Sequence, residues 1–497
     1  MTPPRTRHLF AVLLLATFGV INLAIFKSTP ISLNLAGLIY AWLLEVGAFA
    51  LAYDMSEHIL CLILGEYHLP SLPRLDRHPA VALICVTCDD VDVGVLRLLG
   101  RQGYPSLDVF ILDDSEKRES RDSIDKLGFK VVRREGRNGY KAGNLNNWLF
   151  KHGSVYDYFI VADADSIFPI DFVDRMIRVA ECPENHKIAI IESTIYPWNK
   201  QHPFVKPQAV LAPFQKVRQL RLLNRLDSTL SVGHNNLYRT SVLLSIGGFS
   251  EQYIAEDYAT TIAVLQRTSW KCRTATIESF ERAPANITEY ARRQSRWAAQ
   301  TFQLCSLTTT RLPWETRLAL VHSLLYFSMP VVTYAAMLWL VGVNVNFWMS
   351  SVPGQSQVAL IASFVGHPAF MLWVSWLIGP AALRLALLYR EGASVRAYIR
   401  GTLFQAALFF ATTWPVIRRI TSFRQPDRQR FTVTGMSEDP HLWDIFKLGA
   451  PGVLLAWCTL LSFIPVPHYL ALNLVWLIPA CLSPFIVHRV EDSSDDA

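Results

Sequence analysis

The sequence predicts an α/β domain built on a mostly parallel sheet and set between membrane-spanning helices. Two observations predict it. Short apolar runs from Val81 to Val86, Val109 to Leu112 and Phe159 to Ala162 each lead into acids, and helical patterns fall between them, the alternation expected of parallel strands joined by helical crossovers. The 51% hydrophobic content of the 497 residues exceeds that of an average soluble chain and is concentrated at both ends. In such sheets ligands bind outside the carboxyl ends of the strands. The stretch Phe159-Ile-Val-Ala-Asp163-Ala-Asp165-Ser166 therefore places two hard oxygen donors where a divalent ion can hold phosphate oxygens. Alone, such an acid pair reads as well as a turn after a strand; its weight comes from the other acids and bases along the chain.

Taken in order, the chain opens with Arg5 and Arg7 ahead of about eighteen mostly apolar residues from Leu9 to Phe26, enough to cross a hydrocarbon core of about 30 Å. A cleaved signal peptide competes for this segment, but a second apolar stretch from Ile31 to Tyr53 follows almost at once and favours a pair of spans. A pair returns the chain to its starting side, and the basic start puts that side in the cytoplasm. Residues 54 to 76 read as an exit helix and a linker interrupted by Pro70 and Pro73.

The run from Val81 is followed by Thr87-Cys-Asp-Asp90 and by a helix from Asp92 to Gly100 with Val93, Leu96 and Leu99 on its apolar face. The second strand ends in Asp113-Asp114, and Phe129 to Arg134 is a third. Arg137 to Asn146 opens a helix running to Leu149. Its glycines and asparagines let backbone N–H groups approach an anion and Lys141 adds charge, while a plain loop fits the same residues.

After Asp163 and Asp165, Ile188 to Tyr196 is a strand and Leu211 to Leu223 a helix with Phe214, Val217 and Leu220 on one side. Ser231 to Tyr238 and Gly247 to Phe249 bracket a short apolar helix. Glu256 and Asp257 begin the next helix, where the macrodipole by itself favours acids. Glu289 to Gln303 is an amphipathic helix bearing Arg292, Arg293, Gln294, Arg296 and Trp297, which reads equally as a helix on a headgroup surface.

Further spans are expected at Leu318 to Val341, Val358 to Leu388, Phe446 to Ile464 and Tyr469 to Val487, making six with both termini cytoplasmic. The segment 402–420, broken at Pro415 and tipped by Arg418 and Arg419, is expected flat in the cytoplasmic interface. The organisation is then 1–75 membrane helices and linker, 76–312 a cytoplasmic catalytic domain, 313–490 a membrane region with the interfacial helix and a loop 421–441, and 491–497 an acidic tail. The formal charge of +6 is modest and gathers beside apolar spans, which argues for a lipid bilayer and against nucleic acid as partner. The eight cysteines are scattered. Cys85 and Cys88 form a C-x-x-C inside a strand with no second half, so buried thiols are expected, not zinc or disulfides.

Over residues 80 to 440 the ordered set of motifs resembles the membrane-embedded family 2 glycosyltransferases that include cellulose, curdlan, chitin and hyaluronan synthases. It comprises Thr87-Cys-Asp-Asp90, Asp113-Asp114, Lys141-Ala-Gly-Asn144, Asp163-Ala-Asp165, Ala255-Glu-Asp257 and Arg293-Gln-Ser-Arg296-Trp297. Phe431-Thr-Val433-Thr434 adds a likeness to the gating loop of the cellulose synthase branch, and the glucan branch is the nearest. The resemblance implies a GT-A type catalytic domain in which Thr87, Asp89, Asp113, Asp114, Lys141 and Arg296 serve the nucleotide sugar. It further implies Asp163 and Asp165 as holders of Mg²⁺ or Mn²⁺, Asp257 as general base with Glu256 beside it, and Trp297 and Gln294 on the acceptor side. The expected reaction is inverting, processive polymerisation from a UDP-sugar, UDP-glucose first, onto a growing polysaccharide passed through the membrane. A non-processive transfer to a lipid or oligosaccharide, and a chitin- or hyaluronan-like enzyme using UDP-N-acetylglucosamine, stay open, as does a nucleotide-sugar-binding scaffold without turnover.

The sequence departs from the family at Arg293, where the family has glutamine, and at Met436, where the gating lysine is missing. Gly233-His-Asn-Asn236 is bulkier than the small residues of that strand end in the family. These departures bear on processivity and linkage more than on the reaction type. No separate regulatory domain is visible after residue 490, so any regulation of the kind a C-terminal domain supplies in bacterial cellulose synthases is expected to come from an accessory or regulatory partner.

Overall fold

A computed structural model describes residues 3–28, 35–71, 75, 77–253, 255–304, 307, 311–326, 368–405 and 408. Its centre is a seven-stranded sheet in the order β3-β2-β1-β4-β6-β5-β7. The strands are β1 (Val81–Thr87), β2 (Leu107–Asp113), β3 (Lys130–Val132), β4 (Tyr158–Asp163), β5 (Ile188–Pro197), β6 (Asn236–Arg239) and β7 (Lys271–Glu281). Only β6 runs antiparallel to its neighbours, so the expected α/β class with a mostly parallel sheet holds as a mixed sheet.

The apolar runs form strands because both of their faces are covered. Val81, Leu83 and Cys85 enter a core with Leu96, Leu99, Phe172 and Met176, while the alternate residues Ala82 and Ile84 meet Leu145, Trp148 and Leu149 on the other face. The register levels the strand ends. Thr87 pairs with Asp113 and Val86 with Asp163, so the acids that terminate three strands emerge at one edge. The antiparallel β6 starts there too, because Asn236 pairs with Val161. The loop 231–235 is thus delivered to the end of β4.

Local signals fix the connections. Asp92 caps the helix Val93–Leu99 by accepting from the N–H groups of Gly94 and Val95. The helix Tyr140–His152 starts after Gly139 in the left-handed region. The predicted helix from Leu211 to Leu223 is present as Ala212–Arg218 continued by a wider helical turn, Gln219–Leu223, at whose start Gln219 donates to Glu192. β7 and the helices Arg118–Asp125 and Phe172–Ala180 are additions to the sequence reading.

Among the described residues two helices are long and apolar enough to cross a membrane, Pro3–Leu23 and Glu45–Ile63. The second belongs to one continuous helix, Leu35–Ile63, so the expected span and exit helix are a single element. The apolar helix Pro368–Arg390 packs along it. Charged contacts join these helices to the domain: Arg7 donates to Asp227, and Arg218 grips Glu57 with Nη2–Oε1 at 2.7 Å and Nε–Oε2 at 2.9 Å. The expected spans from 446 to 487, most of that from 318 to 341, the interfacial segment past 408 and the loop 421–441 with Phe431, Val433, Thr434 and Met436 lie outside the described residues.

Candidate active site

The edge where β1, β2 and β4 end gathers the charges. Lys141, in the first turn of Tyr140–His152, places Nζ 2.6 Å from Asp163 Oδ1. Burial works against the charge of Lys141, but Asp163 and Glu256 outweigh it and hold the amine protonated beyond its ordinary range. Burial likewise opposes ionisation of Asp163, and Lys141 and His234 overcome it, so Asp163 is an anion. His234 donates from Nε2 to Glu281 Oε2 at 2.5 Å and lies 3.8 Å from Asp163 through Nδ1. Against the cost of burial, these two carboxylates push its imidazolium up to about 10.

Asp165 differs from its partner. Burial first, then Asp163 and Glu281, push its carboxyl up to about 6, and its Oδ2 accepts only the Arg282 N–H at 3.3 Å among the described residues. The donor set fits a divalent cation at this point, since a cation would relieve the crowding of negative charge that Lys141 relieves at Asp163. Among the described residues no three acids, histidines or cysteines converge to hold an ion by themselves.

Asp257 and Glu256 enter from the helix Glu256–Arg267. Burial raises both, and the neighbouring Glu256 charge adds to it at Asp257, whose carboxyl is pushed up to about 7. Asp257 Oδ1 accepts the Tyr258 N–H at 2.7 Å. Gly233 packs directly on it: a Cβ there would lie 2.6 Å from the Asp257 Cβ, and φ of +84° independently requires glycine. Arg296 faces Glu256, Asp163 and Asp257, with burial and then Arg293 working against its charge. Trp297 is 40% exposed, and the Arg293 guanidinium lies over its ring at 4.9 Å. Gln294 meets the Tyr290 hydroxyl.

The residues expected around the nucleotide divide. Thr87 Oγ1 donates to Asp90 Oδ1 at 2.6 Å, and Asp90, raised by burial and facing Asp163, is the acid of this pair that looks into the cluster. Asp89, at φ +62°, instead holds the Glu116 and Lys117 N–H groups. Asp113 is enclosed and accepts from Ser115 N–H and Arg133 Nε. Asp114 forms a two-point pair with Arg134, which also donates to the Asn138 and Tyr140 carbonyls and so braces the loop before Lys141. Sequence reasoning did not assign Asp90, Arg134, Glu192, His234 or Glu281. Of these, Asp90 and His234 stood inside noted motifs, while Glu281 ends a strand that the periodicity did not reveal.

A mostly parallel sheet carries acids at the ends of its central strands, a lysine on the first of the paired acids and a second acid pair opposite, the arrangement that the resemblance to family 2 glycosyltransferases implies. The profile of glycosyl transferase family group 2 matches residues 158–386. The chain is 29% identical over 213 residues to the glucans biosynthesis glucosyltransferase H of Caulobacter vibrioides, covering 40% of this chain and 31% of that protein. It is 25% identical over 353 residues to the protein of the same name from Xylella fastidiosa, covering 62% and 52%. Among solved structures it is similar to a mannosyltransferase from Pyrobaculum calidifontis in complex with GDP-Man and Mn²⁺, at 17% identity and a TM-score of 0.47 over 68% of this chain and 99% of that one. Residues 158–386 thus resemble glycosyl transferase family group 2, and the curated relatives of the chain include glucans biosynthesis glucosyltransferases. The chain spans about a third to a half of the length of these curated relatives.

Proposed function

We propose that the chain transfers a hexosyl unit from a UDP-sugar, UDP-glucose first, to a growing polysaccharide, with inversion at the anomeric carbon. The observation that carries this reading is the meeting of Lys141, Asp163, Asp165, Glu256, Asp257 and Arg296 at one sheet edge. Inverting transfer needs one base to take the acceptor proton and positive charge at the departing diphosphate. Asp257 is the base. Its raised carboxyl titrates near neutrality, where a general base works best. Gly233 fixes its position from behind, and Glu256 keeps its proton affinity high. Arg296 offers a planar set of donors to phosphate oxygens, and Lys141 holds Asp163 in place. Asp163 and Asp165 would hold Mg²⁺ or Mn²⁺, which would supply charge neutralisation at the diphosphate.

Asp90 and Thr87, with the Asp114–Arg134 pair beside them, form the nucleotide side, and Trp297 and Gln294 the acceptor side. Residues 76–312 make up this catalytic unit. A cytoplasmic domain on a plasma-membrane anchor is the matching orientation: the contact of Arg7 with Asp227 supports a first helix whose N-terminal end lies on the domain's side. A non-processive enzyme is the second reading, favoured by the Arg293 guanidinium lying on the Trp297 ring. Product size separates the two.

The test is donor-dependent UDP release by purified protein in detergent with Mn²⁺, across UDP-glucose, UDP-N-acetylglucosamine, UDP-galactose and UDP-glucuronate, with Asp257→Asn alongside. Release with one donor that disappears in the variant is the expected result. Release that persists unchanged in Asp257→Asn removes Asp257 from the mechanism.

A further inference from the structure

Trp198 is a large aromatic residue that is held firmly yet left uncovered. Its backbone N–H donates to Glu281 O at 3.0 Å and its indole Nε1–H to the Asp165 carbonyl at 3.2 Å. The next residue is fixed as well: Asn199 exchanges two hydrogen bonds of 2.9 Å with Ala283, one to its carbonyl and one from its N–H. A tryptophan with this many anchors is ordinarily packed away, because its ring area is the main source of its burial energy. Here 41% of the residue remains exposed, and among the described residues no ring or cation lies over it.

The sheet order tells which substrate it meets. The nucleotide-side residues follow β1 and β2, on one side of β4. Trp198 follows β5, which lies beyond β4 in the opposite direction beside β7. The strand β7 in turn leads through Glu281 and Arg282 into the helix Ile287–Leu304, which carries Arg296 and Trp297. Trp198 is therefore tied to Asp165 and to the end of β7, from which the chain leads to the Trp297 helix, on the side of β4 opposite β1 and β2. An aromatic face held rigid at its polar end and open on its apolar side matches the C–H face of a pyranose ring.

We propose that Trp198 forms a carbohydrate-stacking subsite on the acceptor side, binding a hexose ring of the acceptor chain. This rests on the reading of the chain as transferring sugar to a carbohydrate, and it differs from Trp297, whose ring already bears the Arg293 guanidinium. The indole anchor couples the subsite to the backbone of Asp165, so an occupied Trp198 positions the acceptor relative to the acids of the site.

The experiment is titration of the full chain in detergent, without donor, with cellotetraose and laminaritetraose, followed by calorimetry. Trp198→Ala is expected to weaken binding roughly tenfold, the scale of one aromatic face, and Trp198→Phe to retain most of it. Melting temperature and UDP affinity are read on the same samples and are expected to match the unsubstituted protein in Trp198→Phe. Equal affinity of Trp198→Ala and the unsubstituted protein overturns the proposal, as does binding of neither tetraose by the unsubstituted protein. A changed partition of Trp198→Ala into liposomes with unchanged tetraose binding assigns the ring to the lipid headgroups and overturns it too. Failure of UDP release with every donor counts against the transfer reading instead, since the binding assay uses no donor.

Discussion

Lys141 Nζ lies 2.6 Å from Asp163 Oδ1, so the first acid of the D-x-D pair carries its own protein cation while the second, Asp165, forms no ion pair among the described residues. The asymmetry gives the two acids different tasks. Asp163 is ionised and fixed by Lys141; Asp165 is crowded by Asp163 and Glu281 and is the acid with most to gain from a bound metal ion.

Lys141→Ala should leave Asp163 with a weakened set of counter-charges and remove a fixed positive charge from the diphosphate side. Donor-dependent UDP release is expected to fall by on the order of 10²–10³, the usual cost of losing one preorganised electrostatic contact. Fold retention is checked by melting temperature. Release at the rate of the unsubstituted protein would show that the ion pair is structural only.

The pH dependence follows from Asp257 as the proposed base. Burial and the Glu256 charge push its carboxyl up to about 7, and the base form is the one that accepts a proton. The rate should therefore climb roughly tenfold per pH unit below 7 and level off above it. Glu256→Gln removes the like charge, so the rising limb should move to lower pH in that variant. Because the two acids titrate as a pair, the midpoint belongs to the pair and its movement is the diagnostic quantity. A pH–rate profile measured between pH 5.5 and 8.5 that does not move on Glu256→Gln would argue against Asp257 as base.

The sheet was legible where strands are covered on both faces. Val81 to Val86 and Phe159 to Ala162 are continuous apolar runs because Leu83 and Ile84 each find a core on opposite sides. β7 was not legible. Its Arg273, Thr274 and Glu281 are polar yet largely enclosed, and partners distant in sequence satisfy them: Asp227 for Arg273, Asn224 and Glu192 for Thr274, His234 for Glu281. The acids of the site were visible as motifs, but their division of labour was not. Asp89 and Asp90 are neighbours of equal type, and only the left-handed backbone at Asp89 turns one toward the N–H groups of Glu116 and Lys117 and leaves the other to face Asp163.

Glu192 offers a test of stability that is separate from chemistry. It is buried in β5 and accepts from the Val232 N–H, Gln219 Nε2 and Thr274 Oγ1 at 3.2, 3.2 and 3.0 Å. Burial pushes its carboxyl from an ordinary 4.5 up to about 7. A raised acid binds its proton more tightly in the folded state, so its stabilising contribution is complete below pH 4.5 and is lost as pH rises through 7. The loss amounts to on the order of 3 kcal/mol. Glu192→Gln should flatten the decline in melting temperature between pH 5 and pH 8 and melt above the unsubstituted protein at pH 8. Parallel declines in both proteins would show that Glu192 stays charged in the fold.

The pair Glu57–Arg218 connects the apolar helix Leu35–Ile63 to the same region, and both side chains are largely buried. Removing one partner of such a pair strands a buried charge at a cost of about 3–5 kcal/mol, whereas replacing both with apolar residues of similar size is close to neutral. Glu57→Ala should therefore lower the melting temperature sharply, and the double change Glu57→Leu with Arg218→Leu much less. The functional effect is expected to reach further than the helix. Arg218 is followed by Gln219, which donates to Glu192; Glu192 accepts the Val232 N–H; and Val232 precedes Gly233, the glycine against Asp257. If this chain of contacts sets the position of the base, the double-leucine variant should keep its stability yet lose turnover, with UDP affinity unaltered. Full turnover in that variant would confine the pair to anchoring the domain, and the position of Asp257 would then rest on the loop 231–235 alone.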